Sequence, residues 1–444
     1  MSVTVPRPTD NRPATDSAAR LLSVPRPCPP TCPGPYVRPG RTSPGTSGPV
    51  RPAAPPAPAP APVRGARGGS AGLSRRPAGA IRQTVAMYDP LAPIRSAEDP
   101  RCDVYLTGTV FLDIIFTGLD SAPVRGTESW ARGMGSSPGG VANMATALAR
   151  LGLRTHLAAA FGDDVYGAYC WEALSEGEGV DLSLSRTVPG WHSPVTVSMA
   201  YEGERTMVTH GHEAPFEEAA VVEPPPSIAA VASLLPGAEQ PWIGRAAERG
   251  SLIFADVGWD DSGRWDLGGL PDLRHCDAFL PNAGEAMRYT GRDTPQAAAR
   301  ALAEHVPLAV VTMGAQGVCA ADGRTGETAE VPSVAVEALD PTGAGDVFTA
   351  GFVTATLAGW PLSDRLAFAS LAAALSVKEF GGSLSAPGWA EIADWCRRVH
   401  TPCGMGPDTR AEQCRYGFLW DLLRRTDRPW PLRRALPTVG FRQP

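Results

Sequence analysis

The stretch from Leu339 to Gly351, L-D-P-T-G-A-G-D-V-F-T-A-G, limits what this chain can fold into more than any other. Gly343, Ala344 and Gly345 stand between Thr342 and Asp346 without a bulky side chain. The apolar run that follows, Val347, Phe348, Ala350, Phe352 and Val353, reads as a buried helix. A small-residue loop therefore opens a helix. The first turn of such a helix leaves backbone N–H groups unpaired at the positive end of the macrodipole, and with no side chain in the way a phosphate reaches both. Beside that cradle Asp346 suits removal of a proton from an attacking hydroxyl better than it suits anion binding. A tight turn with Asp346 as helix cap explains the same residues.

The first hundred residues restrict where such a domain can lie. Residues 1–98 are dominated by Pro, Ala, Gly, Ser and Arg, with P-A-A-P-P-A-P-A-P-A-P between Pro52 and Pro62, and carry few large apolar groups. They cannot bury enough surface to offset their ordering entropy and read as a disordered arm. The arm has no apolar core of a secretory signal, and no later run is long enough for a membrane span. Its arginines outnumber its acids, which suits a solvated linker or weak attachment to an acidic partner. Translation from Met87 would remove most of it. Nine cysteines without CxxC pairs or zinc-like Cys/His spacing point to a reducing, cytoplasmic setting. Lys378 is the only lysine, and its place in V-K-E-F supports neither a P-loop nor Schiff-base chemistry. A net charge of −6 fits no dedicated nucleic-acid binder.

From Cys102 onward the pattern is that of an ordered domain. D-V-Y-L-T-G-T-V-F-L-D-I-I-F reads as one buried first strand containing Asp113, an acid that either faces a cleft and its partners or lies at a strand end in water. Pro138 to Gly152, P-G-G-V-A-N-M-A-T-A-L-A-R-L-G, reads as a glycine turn and a close-packed helix. The backbone donors of Gly139 and Gly140, with Asn143 in the first turn, can meet a hydroxyl. H-L-A-A-A-F-G reads as a strand, D-D-V-Y-G-A-Y-C-W-E-A-L as a helix, and Pro194 to Gly211 as a hairpin around E-G-E-R. His210 and His212 read as surface residues without metal-ligand company. Further strands are S-L-I-F-A-D-V, D-A-F-L-P-N and L-A-V-V-T-M-G, with helices between several of them. That alternation predicts an α/β domain with a mainly parallel sheet covered on both faces. N-A-G-E, with Asn282 and Glu285, reads as a capping-box variant or as an amide and a carboxylate placed for a metal. Thr312 to Gly317, T-M-G-A-Q-G, is by itself a strand-to-strand turn.

Two motifs combine into a resemblance. D-P-T-G-A-G-D-V-F-T-A-G-F is similar to the second motif, and S-P-G-G-V-A-N-M-A-T-A-L-A-R-L-G, residues 137–152, to the first motif of the PfkB-type carbohydrate kinases of the ribokinase-like superfamily. They stand in the right order, about 200 residues apart. The resemblance covers roughly residues 102–400. It implies a ribokinase-like three-layer fold over 99–400 with a mainly parallel central sheet and a small β lid, the lid drawing edge strands from residues 121–137. Trp130 and Arg132 there either touch substrate or only pack and solvate. Residues 401–444 fall outside it as a basic extension, in which W-D-L-L-R-R reads as a short amphipathic helix or part of a poorly ordered tail.

The resemblance further implies an ATP-dependent phosphotransferase acting on a hydroxyl of a sugar or sugar-like molecule, with a nucleoside kinase or a catalytically silent sugar or nucleotide sensor as alternatives. Asp346 would be the base, with Gly343, Ala344 and Gly345 around the transferring phosphoryl group. Asp113, Gly139, Gly140 and Asn143 would hold the acceptor; the glycine pair here lies one residue closer to the asparagine than in the commoner pattern. Thr312, Gly314 and Gly317 would lie on the nucleotide side, and Gly382, in F-G-G-S-L-S-A-P, in the loop that closes the nucleotide site. Asn282 and Glu285 would organise Mg²⁺ through water. Asp340 and Gly381 fall where related kinases hold a monovalent cation such as K⁺, although Pro341 replaces the usual hydroxyl residue. The first motif reads G-G-V-A-N, without a basic residue, which disfavours an already phosphorylated sugar. The implied assembly is a homodimer through the lid, with no membrane and no specific nucleic-acid partner.

Overall fold

Alternate residues of the first strand, β1 (Cys102–Thr107), enter opposite cores: Val104 and Leu106 pack to one side, Tyr105 to the other. The period-two geometry of a strand makes this the expected result when helices cover both faces. The computed structural model describes residues 90–201, 204–212, 223–258, 260, 263–379, 381–401 and 407–424, all within one compact unit, Ile81–Pro444. The expected disorder of residues 1–89 lies outside the described residues.

After β1 come β2 (Val110–Leu119), β3 (Gly133–Gly140) and α1 (Val141–Arg150), then β4 (Thr155–Ala158), β5 (Ala160–Gly162) and α2 (Val165–Glu172). Next are β6 (Arg186–Val188), β7 (Val195–Tyr201), β8 (Glu204–His210), β9 (Ser227–Leu234), α3 (Pro241–Glu248) and β10 (Leu252–Val257). There follow β11 (Ala278–Phe279), α4 (Ala283–Thr290), α5 (Pro295–Leu302), β12 (Leu308–Thr312), β13 (Val318–Asp322) and β14 (Thr328–Val331). The chain continues with α6 (Ala344–Leu357), α7 (Leu362–Ser376), α8 (Trp389–His400), α9 (Pro407–Arg415) and α10 (Gly417–Leu423).

The eight-stranded sheet has the order β14-β13-β12-β11-β10-β9-β1-β4, parallel from β12 to β4 and antiparallel at β13 and β14. Residues of α1, α6, α7, α8 and α10 share one core with Leu308 and Val310, and those of α3, α4 and α5 share the other with Ala309 and Val311. This is the expected three-layer fold. A second sheet, β3-β2-β7-β8, forms the lid.

The apolar run expected as a single first strand is two strands in two different sheets. It breaks at Gly108, where a Cβ would lie 3.2 Å from that of Val141. At the start of α1 the backbone comes so close to Thr109 that a Cβ on Gly140, at φ 64°, would meet its carbonyl oxygen at 2.4 Å. Only glycine allows this crossing. H-L-A-A-A-F-G likewise divides into β4 and β5. Within 121–137 only the part from Gly133 onward is extended; Trp130 is exposed, and Arg132 pairs on the surface with Asp120. The lid therefore takes most of its strands from β2, β7 and β8, the last two being the expected hairpin, in register from Val195 opposite His210 to Tyr201 opposite Glu204.

Packing extends beyond both expected borders of the domain. Leu91 is buried in the core, and Arg95 makes a two-pronged contact with the fully buried Asp103, at 2.5 and 2.8 Å. At the other end Tyr416, Leu419 and Leu423 are buried, the Tyr416 ring stands edge-on to Trp395, and its hydroxyl donates to the Ala367 carbonyl. The W-D-L-L segment is thus helical, in α10, and packed. Residues 402–406 and 425–444 lie outside the described residues.

Candidate active site

Helix α6 begins at Gly343 with φ 75° and without a side-chain cap, so its first N–H groups face the loop unclaimed by any side chain. Asp346 stands inside the first turn and does not cap the helix; its Oδ2 instead accepts a 3.0 Å hydrogen bond from Asn143 Nδ2. A Cβ added at Gly345 would meet nothing within 4 Å, whereas one at Gly343 would come within 3.3 Å of the Asn143 amide. The cradle is open at Gly345 and closed behind Gly343.

The acceptor-side residues converge on the same place. A Cβ on Gly139 would fall 2.0 Å from Asp113 Oδ2, so the strand pair β2–β3 leaves room for the carboxylate only because residue 139 is glycine. Gly382 lies over the same group: its Cβ would stand 3.1 Å from Asn143 Oδ1 and 3.7 Å from Asp113 Oδ2. Asn143 Oδ1 and Ser137 Oγ are buried without a hydrogen-bond partner in the protein. Unpaired buried polar atoms are costly, and two of them beside an open cradle fit a polyhydroxylated ligand. Gly382, expected on the nucleotide side, is therefore beside Asp113 and Asn143.

Charge in this cleft is unbalanced. Burial, with Asp340 and Asp346 facing it, pushes the Asp113 carboxyl up to about 7 against the pull of Arg205. Burial raises Asp346 to about 6, although Asn143 and Arg205 both favour its ionised form. Asp256, at the end of β10, is pushed up to about 8 by burial, with Glu285 and Asp346 adding to the shift and its bond from the Val257 N–H opposing it. Glu285 is raised by burial as well. An excess of unneutralised carboxylates on oxygen-only side chains is the donor set that suits Mg²⁺, and because they do not converge on one point they suit an ion that keeps its waters.

Asn282 and Glu285 form a full capping box at the start of α4, with bonds of 3.0 and 2.9 Å in the two directions. The capping reading of N-A-G-E is thus realised, and it holds the Glu285 carboxylate at the end of β11 beside Thr312, which pairs with Asn282 across the neighbouring strand. Gly314, at φ 56°, and Gly317 form the turn between β12 and β13; a Cβ on Gly317 would strike the Val331 carbonyl at 2.1 Å. Asp340 and Gly381 do meet. Asp340 Oδ1 accepts from the Thr342 N–H at 3.0 Å and Oδ2 from the Gly381 N–H at 3.3 Å, so the acid ties the P-T-G loop to the G-G-S loop.

Two site residues escaped the sequence reading. Asp256 carried a signal, a lone acid ending a buried strand, the same reason that singled out Asp113. Arg205, whose guanidinium donates from the lid to Thr342 Oγ1 at 3.0 Å, carried none, being an arginine in a polar hairpin of an arginine-rich chain.

The family model for pfkB family carbohydrate kinases matches residues 107–389. The chain belongs to this family. Among pfkB relatives, the bifunctional protein HldE of Magnetococcus marinus is 28% identical over 269 residues, covering 55% of this chain and 53% of that protein. A ribokinase of Haemophilus influenzae is 28% identical over 261 residues, covering 55% of this chain and 82% of the relative. Arabidopsis thaliana ribokinase, solved with ribose and ATP, shares the fold with a TM-score of 0.55 at 24% identity, covering 67% of this chain and 98% of that one. PfkB kinases are phosphotransferases with a hydroxyl acceptor. Among the described residues no helix is long and apolar enough to cross a membrane.

Proposed function

We propose that this cleft transfers the γ-phosphoryl group of ATP to a hydroxyl of a sugar or sugar-like acceptor. The observation that carries the reading is the pairing of Asn143 with Asp346 at an uncapped helix start. A carboxyl with a pKa of about 6 beside a helix start that no side chain caps is a base next to an anion cradle. Asp113, with Asn143 Oδ1 and Ser137 Oγ, orients the acceptor, and Asp346 takes the proton of the attacking hydroxyl. The N–H group of Gly345 receives charge developing on the transferring group, while that of Ala344 is bonded to the Pro341 carbonyl at 3.2 Å. Thr312, Gly314 and Gly317 line the nucleotide side. Glu285 and Asp256, with Asn282, would hold Mg²⁺ through its waters, an ion that neutralises phosphate charge.

Arg205 supplies the basic group that G-G-V-A-N lacks, since it faces Asp113 and Asp346 from the lid. Phosphorylated sugars therefore belong in the test beside free sugars and nucleosides. That test is acceptor-dependent ADP release with Mg-ATP across the three classes, run in K⁺ and in tetramethylammonium to detect a monovalent ion at Asp340 and Gly381. Release with any one class supports the kinase and names its acceptor. Silence throughout, with ATP still bound, would leave a sensor. We also assign pairing of two copies to the lid, where Phe116, Trp130, Met134 and Met199 share one largely apolar hollow; light scattering on the Trp130→Ser variant tests this.

A further inference from the structure

Away from the cleft, a second group of titratable side chains has the chemistry of a metal site. Glu239 precedes α3, and Asp272 and His275 lie in the short 3₁₀ turn, Pro271–His275, ahead of β11. One ligand atom from each of the three lies within 4.8 Å of the other two. Asp272 is the observation that separates this group from an ordinary surface cluster. It is 2% exposed; Oδ2 accepts from the Gln240 N–H at 2.7 Å, and Oδ1 is buried with no hydrogen-bond partner. An ionisable group this deep ordinarily has both oxygens satisfied or is bound to a cation.

The neighbours show that a positive charge is wanted here. Arg274 Nε donates to His275 Nε2 at 3.1 Å, and the same guanidinium pairs with Glu239 Oε1. His275 thus presents an Nε2 lone pair to a cation, as a metal-binding imidazole must. Arg274 and Glu239 are more than half exposed, so their pairing is weak and a competing ion displaces it. No hydrogen bond reaches Asp272 Oδ1 from Arg274, so the buried oxygen stays unmet. One imidazole nitrogen and two carboxylate oxygens, with room for water, form a donor set for Zn²⁺. Ligand atoms around tetrahedral zinc stand roughly 3.4 Å apart, a contraction that the exposed Glu239 side chain can supply.

We propose that Glu239, Asp272 and His275 bind one divalent transition-metal ion of the Zn²⁺ class, which staples the start of α3 to the turn before β11. The role is structural: binding restrains two loops on the face covered by α3 to α5 and takes no part in phosphoryl transfer.

The test uses the full chain, freed of metal by a chelator and kept in excess Mg²⁺. Isothermal titration with Zn²⁺ should show one site that Mg²⁺ does not fill, and saturating Zn²⁺ should raise Tm by about 2–6 °C. His275→Ala and Glu239→Gln should each weaken binding at least tenfold and abolish the Tm shift, while their metal-free Tm stays at the wild-type value. Asp272→Asn keeps an acceptor for the Gln240 N–H and should also lose the site. His210 and His212, exposed with ring centroids 5.3 Å apart, provide the contrast. The His210→Ala, His212→Ala double variant should keep the shift. Zn²⁺ binding that survives in His275→Ala, or no saturable binding in the wild type, overturns the assignment.

Discussion

Asn143 and Asp346 are 203 residues apart in the chain, and the amide of one donates to the carboxylate of the other at 3.0 Å. Each stands in the first turn of its helix, α1 or α6, and each helix follows a glycine with positive φ. The bond leaves Asn143 Oδ1 turned toward Gly382 and Ser137, so a single amide orients the base and offers an acceptor to the ligand.

Replacing Asp346 by Asn retains size and polarity but leaves no group to accept the proton. Turnover should fall by roughly 10² to 10⁴ with little change in Tm or ATP affinity. In the wild type the carboxylate form is the active one, so kcat should rise with pH through about 6. Near wild-type turnover in the variant, measured with a validated acceptor, would sink the mechanism.

Glu285→Gln separates the two roles of this residue. Glutamine still closes the capping box with Asn282, so Tm should change by no more than a degree or two, about 0.5 kcal/mol. The Mg²⁺ concentration for half-maximal rate should rise severalfold. An unchanged Mg²⁺ dependence would make Glu285 a cap only.

Arg205→Gln removes the guanidinium that reaches Thr342 from the lid. Loss of one charged donor near the developing phosphoryl charge should lower kcat/KM by about 10- to 100-fold, and Tm should hold. Kinetics indistinguishable from wild type would assign the contact to lid packing alone.

Asp256 makes a prediction about stability and pH. Its folded pKa of about 8 exceeds the ordinary 3.8, so the folded state holds the extra proton between those values. Its contribution is fully present below 3.8 and is lost as pH rises through 8. Asp256→Asn should therefore melt higher than wild type at pH 8.5, and the gap should close toward pH 4. A gap that does not vary with pH would show that the shift is absent.

Truncations test the domain borders. We propose that the arm preceding Met87 is dispensable, so a chain starting there should keep its Tm. Starting at Asp99 removes buried Leu91 and the Arg95 contact with Asp103, a loss of about 2 kcal/mol or more, and Tm should drop by several degrees. Equal melting of the two shortened chains would restore the border at 98.

Local geometry is what the sequence by itself determined. Small residues before Asp346 and ahead of Asn143 dictate helix starts without bulk, the unbroken apolar run L-A-V-V dictates a strand with two buried faces, and N-A-G-E dictates a cap. Each depends on backbone sterics and hydrogen bonds within a few residues. The joining of the two motifs was legible only through resemblance, since no local rule brings residues 143 and 346 together. The tertiary structure decided the rest. It divided one apolar run between two sheets at Gly108, because the start of α1 packs against the crossing. It placed Asp256 among other acids, brought Arg205 over Thr342 and Gly382 over Asn143, and folded Tyr416 into a core shared with α7 and α8. These outcomes depend on which surfaces meet across the layers, and burial and charge from distant segments then set the pKa values on which the chemistry depends.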